Sequence, residues 1–407
     1  MEKKIYIYKS IGITFVLIGV PIGMYLNFFT NTTFGSSLTM FLSIIFLIYK
    51  EKIHFKIKKE FISLFLFQII MLIYWSISKS ESASIQYLTF HLYILALIFS
   101  LSNSNNVNFN QVIKCTFFIS ILLTIIGVIV CGKGLVTGDI AWNLRNENEN
   151  YALEPFTVSS GALIGYYSGL CIDKRGIINK ILTTVILLAD IYIIWTCGKR
   201  TPLVLLILCT LIYIKKSTSL SHQNILFLSI KIIIFASIIF IVLIQNSDIQ
   251  EELQRYSTHL YNGILNILGD KSVSDLTGSA IARAQFRTMA IEYIQNQFEF
   301  GNYILGNGYM ERWNQIDNPI LQAYLDMGVI GAIGYIGFVI ILPIKKLFYK
   351  VNTIQLFFIF CCLYNVFSSI SSGNPYTYQK YHIICLLIFS FITINKYKKH
   401  IYITNQL

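Results

Sequence analysis

Three sets of residues have the types and spacing to handle an anion or a proton. The stretch Cys197-Gly-Lys-Arg-Thr-Pro202 joins two apolar runs with almost no loop between them. A tight glycine turn and a proline opening the next helix would hold Lys199 and Arg200 at the boundary of the apolar region. A basic pair in that place often anchors helix ends at a membrane surface. It is equally the group that binds an anion. Arg283 and Arg287 lie four apart, on one face of a helix predicted over 279–298. They make either a solvated basic face or a fork suited to a phosphate or pyrophosphate. The third set is Leu305-Gly-Asn-Gly-Tyr309, then Asp317-Asn-Pro-Ile-Leu-Gln322, then Gly328-Val-Ile-Gly331. Its glycines allow sharp turns and close helix approach. Asp317 and Asn318 stand where a helix begins, so a carboxylate there serves as an N-cap or as a general base facing a polar cleft.

Three further groups fall inside apolar runs. Asp190 is a carboxylate about seven residues before Cys197, and such groups in a membrane are rare and usually paired. Its expected partner is Lys199, Arg200 or another helix, with a proton relay as the rival reading. His91 and His382 read as interhelical hydrogen-bond partners.

The elements that must position these residues are membrane helices. The chain has 407 residues, 55% hydrophobic and only 13% charged, where a soluble domain carries about 25% charged residues. A helix needs about 20 residues to cross the hydrocarbon. Apolar runs near 10–28, 34–49, 61–77, 86–101, 112–131, 156–172, 177–197, 201–214, 225–244, 319–343, 353–370 and 379–394 predict an all-α, polytopic bundle of about twelve spans. The whole chain, 1–407, reads as one membrane domain. With the N-terminus inside, the inner connections carry nearly twice as many lysines and arginines as the outer ones, which fits the positive-inside rule. Both ends are then cytoplasmic. The first run follows Met1-Glu-Lys-Lys4, lacks a small-x-small cleavage site and is expected to stay as a signal-anchor.

One outer connection, 245–318, is far longer than a turn, and loops of that size usually have a function. Ile249, Leu253, Tyr256, Leu260, Ile264 and Ile267 recur at helical spacing, which predicts an amphipathic helix ahead of the one at 279–298. A smaller outer loop, 132–155, holds Arg145 and Glu154. Gly161-Ala-Leu-Ile-Gly165 predicts close helix packing. The eight cysteines sit in or beside apolar runs and form no CxxC pair, so neither a disulfide framework nor a zinc site is expected. The net charge of +12 comes from lysines beside spans, which argues against nucleic acid as a partner.

The order Gly198-Lys-Arg-Thr201, Arg283/Arg287, Gly306-Asn-Gly308 and Asp317-Asn318 to Gly331, around one long outer loop, resembles the O-antigen polymerase (Wzy) and O-antigen ligase superfamily of bacterial surface glycans. The resemblance implies an inverting, metal-independent glycosyltransferase of the multi-span GT-C type, with no cofactor. It would act on undecaprenyl-pyrophosphate-linked sugars at the periplasmic face of the inner membrane. Arg200 with Arg283 or Arg287 would grip the pyrophosphate. Asp317 is the first choice of base and Glu154 the second. Lys199, Asn318, Tyr309, Glu154 and Arg145 would contact substrate. The ligase branch has a histidine directly before the Asn of the re-entry element, and this chain has Asp317, which points toward the polymerase branch. A ligase, and outside that class a flippase, are the alternatives. The implied partners are membrane lipids, a chain-length regulator and a flippase.

Overall fold

A computed structural model describes residues 2–30, 32, 34–51, 54, 56–104, 107–137, 155–172, 177–196, 200–217, 278–313, 316, 318–371 and 373–404. Among them every regular element is helical. The helices are α1 (Glu2–Thr30), α2 (Phe34–Ile48), α3 (Lys59–Ile77), α4 (Ile85–Asn103), α5 (Phe109–Thr137), α6 (Pro155–Cys171), α7 (Ile177–Thr196), α8 (Arg200–Ser217), α9 (Gly278–Gln297), α10 (Phe300–Leu305), α11 (Pro319–Tyr335), a π-helical turn (Ile336–Ile341), α12 (Leu342–Leu347), α13 (Thr353–Ser371) and α14 (Tyr378–Thr404). A bilayer offers the backbone no hydrogen bonds, so a spanning chain must close its own ladder, which a helix does within one segment.

The protein is a helical membrane protein. Five stretches are long and apolar enough to cross a bilayer: Ile7–Thr30, Lys59–Ile77, Ile85–Asn103, Phe109–Ile129 and Pro319–Leu347. Shorter apolar helices occupy Phe34–Ile48, Val185–Ile194, Thr353–Ser369 and Tyr378–Ile394. The run at 225–244 and the amphipathic segment Ile249 to Ile267 lie outside the described residues. The loop helix predicted over 279–298 is α9.

The chain divides into two compact units, Met1–Leu206 with Phe298–Leu407, and Ile207–Gln297. The first is held by close helix crossings. α1 lies along α2 so tightly that a Cβ on Gly23 would sit 2.7 Å from the Ser36 Cα. Gly161 and Gly165 pack as small residues do in membranes. A Cβ on Gly161 would meet Pro21 of α1 at 3.1 Å, and one on Gly165 would meet Ser120 of α5 at 2.9 Å. At one end of this unit Lys58 Nζ donates to the carbonyls of Leu101 at 3.1 Å and Ser104 at 3.4 Å, and Lys9 pairs with Glu51. The second unit holds α8 beyond Leu206 and all of α9. Its α9 leaves Phe286, Met289 and Ile291 exposed while burying Ala290.

The least regular span is α11. Gly328 adopts φ 59° and ψ −151° and breaks the helix in its middle, and the π-helical turn follows two helical turns later. The glycines of the preceding loop are also left-handed, Gly306 at φ 78° and Gly308 at φ 107°.

Candidate functional site: a buried polar cluster beneath the 306–318 loop

The site is built on the break in α11. Asn318 caps this helix, accepting from Leu321 N at 3.1 Å, and Pro319 opens it without wasting an N–H. At Gly328 the helical ladder is interrupted, which frees carbonyls one turn earlier. Two backbone N–H groups of the loop take them up. Asn307 N donates to Leu325 O at 2.8 Å and Gly308 N to Asp326 O at 3.0 Å. A side chain at Gly306 would overlap the Asp326 carbonyl, and one at Gly328 would overlap the Ile304 carbonyl. The Gly306-Asn-Gly308 and Gly328-to-Gly331 elements are therefore one interlocked piece.

Beneath this lock lies Asp326, fully buried. Its Oδ2 accepts from Tyr376 OH at 2.6 Å and from Gln322 Nε2 at 2.8 Å. Its Oδ1 has no hydrogen-bond partner among the described residues. Gln322 also takes the Ile316 N–H at 3.0 Å and donates to Trp313 O at 3.0 Å, so one amide ties the loop to α11. Tyr376, from the turn between α13 and α14, stacks on Tyr309 with ring centroids 4.0 Å apart and planes at 27°. Tyr309 OH lies 3.0 Å from His91 Nε2, and His91 Nδ1 lies 3.1 Å from Gln68 Oε1. With Gln68 Oε1 accepting, Nδ1 carries the ring proton and Nε2 accepts from Tyr309, the pattern of a neutral imidazole. Burial pushes the Tyr309 and Tyr376 hydroxyls well above the usual phenol range, so both remain donors.

The rim ties the loop to α3. Tyr74 OH donates to Leu305 O at 2.8 Å, and Ser78 Oγ lies 2.7 Å from Tyr309 O and 3.0 Å from Glu311 Oε1. Glu311 also accepts the Lys79 N–H. Further along, Lys380 is buried in the first turn of α14 and donates to Tyr335 OH at 2.8 Å.

The residues singled out from sequence fall in different places. Arg200 is the first residue of α8, and its side chain is outside what is described. Lys199, Arg145, Glu154 and Asp317 lie outside the described residues. Arg283 and Arg287 sit one turn apart on α9 as predicted. The Arg287 Nε is enclosed and has no hydrogen-bond partner among the described residues. Asn318 spends its side-chain oxygen on the cap. Tyr309, expected at the substrate, is fully buried and faces His91 and Tyr376. His91 is the interhelical partner the sequence predicts. Asp190 finds Thr124 of α5, whose hydroxyl donates to Oδ1 at 2.9 Å.

Sequence reading passes over Asp326, Tyr376 and Gln68, and includes Gln322 only as the end of the stretch that begins at Asp317. The signal for Asp326 was present: it is a carboxylate within an apolar span, the same flag that singled out Asp190. Among the described residues no group of three His, Cys, Asp or Glu side chains is placed to hold a metal. The cluster is a brace: its hydrogen bonds tie the loop to α11 and α4, and they leave Asp326 Oδ1 and Gln68 Nε2 without partners among the described residues. The chain matches no protein-family model and no curated protein.

Proposed function

We propose that the protein is an O-antigen polymerase, a glycosyltransferase that joins undecaprenyl-pyrophosphate-linked repeat units at the periplasmic face of the inner membrane. The observation that carries this reading is the interlock of Gly306–Gly308 with the α11 break at Gly328. Two sequence elements on which the resemblance rests form a single rigid part, as residues with a shared task should.

The chemistry follows from the charge that develops. Transfer breaks the bond between the anomeric carbon and the phosphate oxygen, and the electron pair leaves with the pyrophosphate. Arg200 with Arg283 or Arg287 stabilises that leaving charge at a low-dielectric boundary, where one well-placed donor contributes about 3–4 kcal/mol, or roughly 100- to 1000-fold in rate. The acceptor hydroxyl loses its proton to Asp317, with Glu154 second in line. Tyr309 acts from beneath, positioning the loop through His91, Tyr376 and its own backbone. Asn318 does the same through the cap. The polyprenyl tail stays among membrane lipids, and a chain-length regulator and a flippase are the natural protein partners.

Replacing Arg200 with Ala in the native host tests the assignment. The reading expects long chains to vanish while single repeat units still reach the lipid A core. A normal ladder from a well-expressed variant overturns the role of Arg200.

A transporter or flippase is the second reading, and a specific feature favours it. A span broken at a glycine, with Asp326 buried two residues before it, is the device transporters use near their substrate sites. Accumulation of lipid-linked units on the cytoplasmic face in a deletion strain would decide for transport.

A further inference from the structure

α5, α6 and α7 pack against one another within the first unit. On α5, Thr116, Ser120 and Thr124 recur every fourth residue, so they line one face. All three are buried. Thr124 satisfies one oxygen of Asp190, at 2.9 Å. The other oxygen, Oδ2, is enclosed and has no hydrogen-bond partner among the described residues, and the same is true of the Ser120 and Thr116 hydroxyls. α6 brings Gly165 to this spot. The point where its Cβ would stand is 3.5 Å from Ser120 Oγ and 3.6 Å from Asp190 Oδ2. The bare glycine face thus lies close to two polar atoms that both lack partners among the described residues.

No cation pairs with Asp190 among the described residues. α6 carries no charged residue at all. On the described face of α5 the neighbours are hydroxyls, and α1, which also packs here, brings Pro21 beside Gly161 and Tyr25 beside Gly127. An ionised carboxylate enclosed among helices and held by one neutral hydroxyl is strongly disfavoured. A proton removes the charge and turns Oδ2 into a donor. That donor needs an acceptor, and the unpartnered Ser120 hydroxyl beside Gly165 offers one. A water over Gly165 would find polar partners in both.

We propose that Asp190 is a proton-binding site in the core of the bundle: the neutral acid donates from Oδ2, through one water over Gly165, to Ser120. The ligand is a proton with its bridging water. None of these residues takes part in the transfer chemistry proposed above, so the two accounts stand or fall separately.

Infrared spectroscopy of the full chain in lipid nanodiscs at neutral pH tests this. The wild type should show the carbonyl stretch of a protonated carboxylic acid, shifted by isotope-labelled aspartate and missing in Asp190→Asn. Asp326→Asn should leave that band in place. Ser120→Ala keeps Asp190 and must move the band, because its hydrogen bond is lost. The Ser120→Ala arm is read even if Asp190→Asn fails to accumulate. A wild-type spectrum without the band, a band lost in Asp326→Asn instead, or a band indifferent to Ser120→Ala overturns the proposal. So does a carboxylate band for Asp190 that depends on added sodium, which would make the ligand a cation.

Discussion

Gly308 donates its backbone N–H to the carbonyl of Asp326 at 3.0 Å, across a helix that Gly328 has broken. The 306–312 loop thereby supplies the hydrogen bonds that the broken helix lacks.

Glycine substitutions at this joint should be far more damaging than elsewhere in the same stretch. Left-handed backbone at a non-glycine residue costs on the order of 1–3 kcal/mol, and at Gly306 and Gly328 an added Cβ would also overlap backbone. Gly328→Ala and Gly306→Ala should therefore lower the thermal midpoint of the detergent-purified protein sharply or prevent accumulation. Gly301→Ala, where a Cβ meets nothing within 4 Å, should be neutral or slightly stabilising. Equal effects at all three positions would contradict the interlock.

Asp326 should behave as an acceptor whose removal strands its donors. Asp326→Ala leaves Tyr376 OH and Gln322 Nε2 buried without it, and each unsatisfied group costs about 1–3 kcal/mol. Tyr376→Phe removes one donor and should cost less. A double-mutant cycle between these two positions, read by unfolding in detergent, should give a coupling of about 0.5–3 kcal/mol. Strict additivity would mean the 2.6 Å contact carries no energy.

His91 makes a parallel case. His91→Ala should destabilise by leaving Tyr309 OH and Gln68 without their partner, at about 1–3 kcal/mol per stranded group. Adding Tyr309→Phe removes one of the stranded groups, so the double variant should unfold later than the sum of the single losses requires. An additive double variant would contradict the bridge.

Glu311 should act locally. Its carboxylate holds Ser78 and the Lys79 N–H at the end of α3. Glu311→Ala should raise hydrogen exchange in residues 78–84 and 306–312 and leave the α1–α2 pair unchanged. Unchanged exchange in both segments would show that this rim contact does not restrain the loop.

Much of the helical layout is legible in the sequence because burial in lipid leaves long unbroken apolar runs. The run at 61–77 became α3 (Lys59–Ile77) and that at 34–49 became α2 (Phe34–Ile48). The start of the run at 319–343 coincides with the first residue of α11, and the cap is Asn318 rather than the neighbouring carboxylate, because Pro319 occupies the first helical position. The break at Gly328 was not legible. In a membrane span a glycine reads as a packing residue, and only the loop that takes up the freed carbonyls shows otherwise. Tyr376 and Gln68 were invisible for a similar reason. Each gains its role from a partner far away in the chain, and nothing local marks it. Asp326 is legible in the way Asp190 is, as a carboxylate within an apolar run.

The proposed polymerase activity is tested most directly by the surface glycan of a strain lacking this protein, resolved on a gel. A polymerase deletion should leave a band of lipid A core carrying a single repeat unit and no longer chains, restored to a full ladder by the wild-type chain. A bare core without any repeat unit would contradict it.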